Sequence, residues 1–160
     1  LRSIEYNISI EDTINDIKAK NIDISLNNIN DVIQDILEDK IDPIPQDKKF
    51  YKYYERRRPE DGLIDWSNSS IEIYNMVRAL CSPWPGAFFH FNNKVVFIDK
   101  CELSSKKHED NGRIFNIANS SFLISCGDFS IRPLEFLIED KVISPGEFIK
   151  KFNIISGRKI

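Results

Sequence analysis

The sequence predicts an α+β chain, helical in its first half and closing on a small five-stranded antiparallel barrel in its second. Two observations carry this expectation. Apolar residues recur at helical spacing up to about residue 40, then alternate with period two from Gly86 onward. Between these stretches, Pro43, Pro45 and Pro59 rule out a long helix.

The elements follow in order. Ile4, Tyr6 and Ile8 alternate with polar residues and predict a short strand. Ser9 is expected to cap a helix, with Asp12 near its positive end and Ile10, Ile14 and Ile17 on one face. A second helix is expected over residues 28–40. Leu26, Ile29, Ile33, Ile36 and Leu37 form its buried stripe, and Asp31, Asp35 and Asp39 a solvated one. Residues 41–66 read as a linker laid over a neighbouring surface, because free tethers rarely carry Phe50, Tyr51, Tyr53 and Tyr54 so close together.

A third helix opens at the capping box Ser69-x-x-Glu72, with Ile71, Tyr74, Val77 and Leu80 on one face, and ends at Pro83. Strands are expected over 86–91, 94–103, 112–118, 121–126 and 129–137. Asn92-Asn93, Asn119-Ser120 and Gly127-Asp128 separate them as turns. Ser144-Pro145-Gly146-Glu147 is a further capping box with Pro at the first helical position. Five short strands after a helix point to a barrel of the OB kind.

Composition narrows the function classes. With 160 residues, 41% hydrophobic and 29% charged, the chain can bury a real core. No apolar run approaches the ~20 residues of a membrane helix. Leu1-Arg2-Ser3 lacks an initiator Met and a signal-peptide pattern, so the chain reads as beginning internally, as a fragment would. Cys81, Cys101 and Cys126 sit in apolar stretches without metal spacing, which implies buried reduced thiols and a cytoplasmic setting. With His90 and His108 far apart in sequence, no zinc site is expected. Residues 1–50 hold 11 acidic and 6 basic side chains, whereas residues 84–160 hold 11 basic and 9 acidic. That weak positive balance falls short of the dense basic footprint of a nucleic-acid binder.

The run Tyr53-Tyr54-Glu55-Arg56-Arg57-Arg58-Pro59-Glu60-Asp61-Gly62-Leu63-Ile64-Asp65-Trp66 resembles the interdomain segment of folate-dependent formyltransferases. It leads into Glu72–Leu80 and Pro83-Trp84-Pro85-Gly86-Ala87-Phe88, which resemble the family's EIYN…RAL helix and its PWPGAF motif. Cys126-Gly127-Asp128 resembles its CGDG turn, with Phe129 in place of the second Gly. Ser156-Gly157-Arg158-Lys159-Ile160 resembles its GxRL-type end. Upstream, Ile10-Glu11-Asp12-Thr13 and Pro43-Ile44-Pro45-Gln46 resemble the last part of the catalytic domain.

The resemblance implies three parts. Residues 1–41 would be the helical tail of a Rossmann-like catalytic domain, 42–66 an interdomain linker and 67–160 an OB-like C-terminal domain. The cofactor it implies is 10-formyltetrahydrofolate, bound by an upstream domain that carries an Asn-His-Asp trio. That trio has no match here, so no catalytic residue and no metal ligand is expected in this chain.

Within the family, the triple-Arg segment and Trp-Pro-Gly-Ala-Phe look most like the sugar-nucleotide N-formyltransferases. Methionyl-tRNA formyltransferases usually carry a lysine-rich late barrel segment, where this chain has the more acidic Leu134–Lys141. The expected partner is therefore a nucleotide sugar, with tRNA second. A homodimer, or a domain with no ligand of its own, stays open.

Tyr53, Arg56, Arg57, Arg58 and Trp66 are the candidate substrate-binding residues. Guanidinium forks pair with diphosphate oxygens, and aromatic rings stack on a base or sugar. The competing structural roles are neutralisation of the arginines by Glu55, Glu60, Asp61 and Asp65, and hydrophobic anchoring by Trp66. Arg78 near its helix end is expected to pair with Asp65.

Overall fold

Thr13 rather than Ser9 opens the first helix, α1 (Ile14–Leu37). Its side chain accepts from Asp16 N, and Asp16 reaches back to the Thr13 backbone in a capping box. This computed structural model describes residues 3–45 and 47–160. Leu1 and Arg2 of the opening segment, and Gln46 of the Pro-Ile-Pro-Gln motif, lie outside the described residues.

α1 is one helix of 24 residues where two were expected. The polar residues in its middle do not interrupt it. Asn28 donates to Ile24 O and Ser25 Oγ to Asn21 O, each at 2.8 Å, so these side chains satisfy themselves against the preceding turn. Ser9 and Asp12 form a turn of their own, with Ser9 N donating to Asp12 Oδ2 at 2.7 Å. The expected strand at 4–8 is also absent. That segment is irregular and bonded to α1 through Tyr6 Oη to Asn21 Oδ1 and Lys20 Nζ to Asn7 O.

The chain divides into two compact units, residues 1–57 and 58–160. In the first, no residue of α1 is buried, and its expected core stripe is open: Leu26 is 66% exposed, with Ile29, Ile33, Ile36 and Leu37 also exposed.

The second unit holds α2 (Ser70–Leu80), β1 (Ala87–Phe91), β2 (Lys94–Ser104), β3 (Ile114–Ala118), β4 (Ser121–Ser125), β5 (Ser130–Ile138), β6 (Lys141–Ile143) and α3 (Pro145–Phe152). The strands form one antiparallel sheet in the order β1-β2-β5-β4-β3, with β6 added to β5. Six strands thus replace the expected five. No ladder joins β1 to β3 among the described residues, so the ladders trace an open path.

Two tight turns make the β1–β2 and β5–β6 hairpins. Asn92 and Asn93 both take positive φ (47° and 59°), the conformation of a two-residue hairpin whose twist matches the strands. Glu139 and Asp140 do the same (52° and 60°) and create β6. Neither is a glycine or asparagine, and no turn was expected there.

The core is aromatic. Phe148 of α3 stacks on Phe136 with centroids 4.5 Å apart, and Phe122 stacks on Phe136 at 5.9 Å. α2 buries Ile73, Val77 and Leu80. Its inner stripe is therefore turned from the expected one: Ile71 is exposed and Tyr74 only partly buried. Cys81, Cys101 and Cys126 are buried thiols, as the apolar context predicts, and burial pushes those of Cys101 and Cys126 up to about 12.

Candidate functional site

Three of the motifs that carry the family resemblance converge around one backbone junction in the second unit. Pro59–Gly62 forms a 3-10 turn, closed by Arg58 N donating to Asp61 Oδ2 at 2.7 Å and Leu63 N to Glu60 O at 3.1 Å. The chain then joins the sheet edge. Ile64 N donates to Phe88 O at 2.7 Å, and Leu63 pairs in parallel with Phe88 beside β1.

Gly62 is required at this approach, because a Cβ there would lie 2.3 Å from the Gly86 carbonyl oxygen. The Pro-Glu-Asp-Gly and Pro-Trp-Pro-Gly motifs thus meet backbone to backbone.

Asp65 turns the next residues. Its Oδ1 accepts from Ser67 Oγ at 2.7 Å and Ser67 N at 2.9 Å, and these bonds hold its carboxyl below the usual range. The expected partner, Arg78, donates from Nε to Asn75 Oδ1 at 2.9 Å and lies over the Tyr74 ring.

Trp66, between these turns, is only 9% exposed and meets Phe89 edge-on at 5.7 Å. It anchors the segment in the core and offers no open face for stacking.

The third motif locks the same strand of chain from the other side. Gly127 N donates to Asn68 O at 2.8 Å. Asp128 Oδ1 accepts from Ser70 N at 2.6 Å and from Phe129 N at 2.6 Å. Ser70 opens α2, so Asp128 serves as a second cap across 58 residues of sequence. The Ser70 amide holds the Asp128 carboxyl below its ordinary value. Sequence reasoning read Asp128 only as a turn residue; its distant partner was invisible there.

The candidate contact residues fall into two groups. Tyr53 (77% exposed), Arg56 and Arg57 belong to the first unit and stand open, as do Phe50, Tyr51 and Tyr54. Arg58 belongs to the second unit and its side chain is also exposed. Among the described residues, no ion pair neutralises Arg56, Arg57 or Arg58. Two of the four acids expected to do so bond within their own turns: Asp61 to Arg58 N and Asp65 to Ser67. An exposed run of aromatics and cations can grip an anionic, ring-bearing ligand or a macromolecular surface.

No general base emerges from the histidines. His90 is exposed on β1 with its ring edge-on to Phe88, and His108 Nδ1 accepts from Asp110 N at 3.1 Å in a loop. Among the described residues no cluster of His, Cys, Asp or Glu is placed to hold a metal. Open clefts of about 280 to 380 Å³ on the second unit are lined largely by polar and charged residues. Among the described residues, no helix is long and apolar enough to cross a membrane.

Comparison with known proteins agrees with the geometry. The chain is similar to the bifunctional polymyxin resistance protein ArnA of Wigglesworthia glossinidia brevipalpis, 34% identical over 98% of this chain and 24% of that protein. It is 30% identical to the methionyl-tRNA formyltransferase of Clostridium novyi (strain NT), over 73% of this chain and 36% of that one. The chain thus spans about a quarter to a third of the length of these curated relatives. Its fold resembles that of a substituted variant of HypX from Aquifex aeolicus (TM-score 0.68, 14% identity, 92% of this chain and 27% of that chain). A family profile described as "Formyl transferase, C-terminal domain" matches residues 56–153, from the triple-arginine run to the end of α3. The chain belongs to the formyl transferase C-terminal domain family.

Proposed function

We propose that this chain is the C-terminal portion of an enzyme that transfers a formyl group from 10-formyltetrahydrofolate to an amino group. The acceptor is an amino sugar linked to a nucleotide. In this reading residues 1–41 close the catalytic domain, 42–66 form the linker and 67–160 the C-terminal domain. The enzyme works in the reducing cytoplasm, in keeping with three buried thiols.

The observation that carries the acceptor assignment is the 34% identity to ArnA across 158 residues, against 30% over 118 for the Clostridium methionyl-tRNA formyltransferase. The exposed run supports the contact assignment. Arg56, Arg57 and Arg58 would take the diphosphate, and Tyr53 would lie against the sugar or base. Trp66 serves by anchoring its own segment of the second unit against Phe89. The cofactor belongs to the upstream domain, and no step of the transfer is assigned to a residue of this chain.

A second reading, methionyl-tRNA as acceptor, is favoured by the matches to methionyl-tRNA formyltransferases, at 30% and 27% identity. Calorimetric titration of the chain with a panel of nucleoside diphosphate sugars, beside filter binding of initiator tRNA over a salt series, separates the two. The sugar reading expects sugar-nucleotide binding that Arg57→Ala weakens, and little tRNA binding. Affinity for tRNA falling steeply with salt, with no sugar-nucleotide binding, sinks it in favour of the second.

A further inference from the structure

The C-terminal motif takes no part in the junction just described, yet it builds a cleft of its own. After α3 the chain turns at Ile155–Gly157, where Gly157 takes φ +84° and donates to Ile114 O at 2.7 Å. It then runs beside β3, with Lys159 bridged to Arg113. A cleft of about 380 Å³ opens there, lined by Arg113, Ile155, Ser156, Gly157, Arg158 and Lys159. Half of these residues are cationic and none is acidic.

The surrounding chain is biased the same way. Residues 148–160 carry Lys150, Lys151, Arg158 and Lys159 and no acidic side chain, in a protein of net charge −3.

Both guanidinium groups are held in place. Arg113 donates from Nη1 to Gly157 O at 2.9 Å and pairs with Asp110 at 3.1 Å. Arg158 donates from Nη2 to Asn92 Oδ1 at 3.1 Å, and its Cζ lies 5.5 Å from the centre of the Phe91 ring. Each guanidinium has five N–H donors, so both keep donors in hand after these bonds. Asp110 offsets one positive charge, leaving Arg158 and Lys159 to match a dianion. The volume admits a phosphate with a small group attached, and exposed Ile155 offers that group an apolar flank.

We propose that this cleft is a binding site for a phosphate group, free or as a small phosphomonoester, held by Arg158 and Lys159 with Arg113 behind them. It is independent of the acceptor reading, because none of its lining residues belongs to the 53–66 run.

The test is a two-dimensional NMR titration of the full chain with inorganic phosphate at constant ionic strength, repeated with glycerol phosphate to separate the free ion from the ester. Saturable shifts at Ser156, Gly157 and Lys159 amides are expected. Lys159→Ala and Arg158→Gln should each weaken binding by about tenfold, the loss expected for one charge-assisted hydrogen bond. Lys100→Ala removes a cation that faces Glu135 on β2, and should leave binding unchanged. Thermal unfolding of each variant confirms its fold. Shifts that fail to saturate, or an equal loss in the Lys100 variant, overturn the proposal.

Discussion

Gly127 is the position where one added methyl group most directly tests the junction between motifs. A Cβ built there would stand 2.1 Å from Ser67 O and 3.0 Å from Ser67 C. Ordinary contact begins near 3.4 Å, so the 126–128 turn and the 67–70 segment must separate by roughly 1 Å. Backbone lies on both sides, so no side-chain rotation absorbs the strain.

That movement strains two bonds together, Gly127 N to Asn68 O at 2.8 Å and Ser70 N to Asp128 Oδ1 at 2.6 Å. Losing them while shifting backbone should cost Gly127→Ala about 2–3 kcal/mol. For a unit of about 100 residues this lowers Tm by roughly 10–20 °C. Scanning calorimetry and urea denaturation of the full chain read it directly. Gly157→Ala is the control. Its φ is positive, which that of Gly127 is not, but a Cβ there meets nothing within 4 Å, so it should cost only about 1 kcal/mol. If Gly127→Ala stays within about 0.5 kcal/mol of the parent, the proposed junction is not what holds this unit together.

Other substitutions test neighbouring links. Phe148→Ala removes the ring stacked on Phe136 and should cost about 3–5 kcal/mol by denaturant titration. Asn93→Gly relieves a left-handed residue in the β1–β2 turn and should raise stability by about 0.5–1 kcal/mol in the same assay. Asp128 has a carboxyl depressed by the Ser70 amide, so its stabilisation is present above the unfolded carboxylate pKa. It is lost as pH falls through the lower folded pKa. Unfolding measured between pH 7 and pH 3 should therefore show a flatter pH dependence for Asp128→Asn than for the parent.

Local signals read from sequence located most of the second unit. Ser69-x-x-Glu72 and Ser144-x-x-Glu147 opened helices where expected, because a capping box satisfies its own donors without distant help. Asn92-Asn93 set its hairpin for a similar reason. β6 was missed because Glu139-Asp140 takes the same turn without the residues that advertise it. In the first unit two caps competed, and Thr13 with Asp16 prevailed over Ser9 with Asp12.

The site was legible as a set of motifs but not as a contact. That Gly62 lies on Gly86 O, and that Asp128 caps Ser70, are long-range facts with no local period. The open stripe of α1 and the exposed rings at 50–54 read as buried in sequence because apolarity predicts burial without naming the partner surface.

On the function proposed above, this chain supplies a run that meets the acceptor, and the chemistry resides in residues it does not contain. The most direct measurement is a formyl-transfer assay on the purified 160-residue chain, with 10-formyltetrahydrofolate and a nucleotide-linked amino sugar. No turnover above the uncatalysed rate is predicted. Sustained turnover that tracks with the chain through purification and is lost on its unfolding would contradict the account.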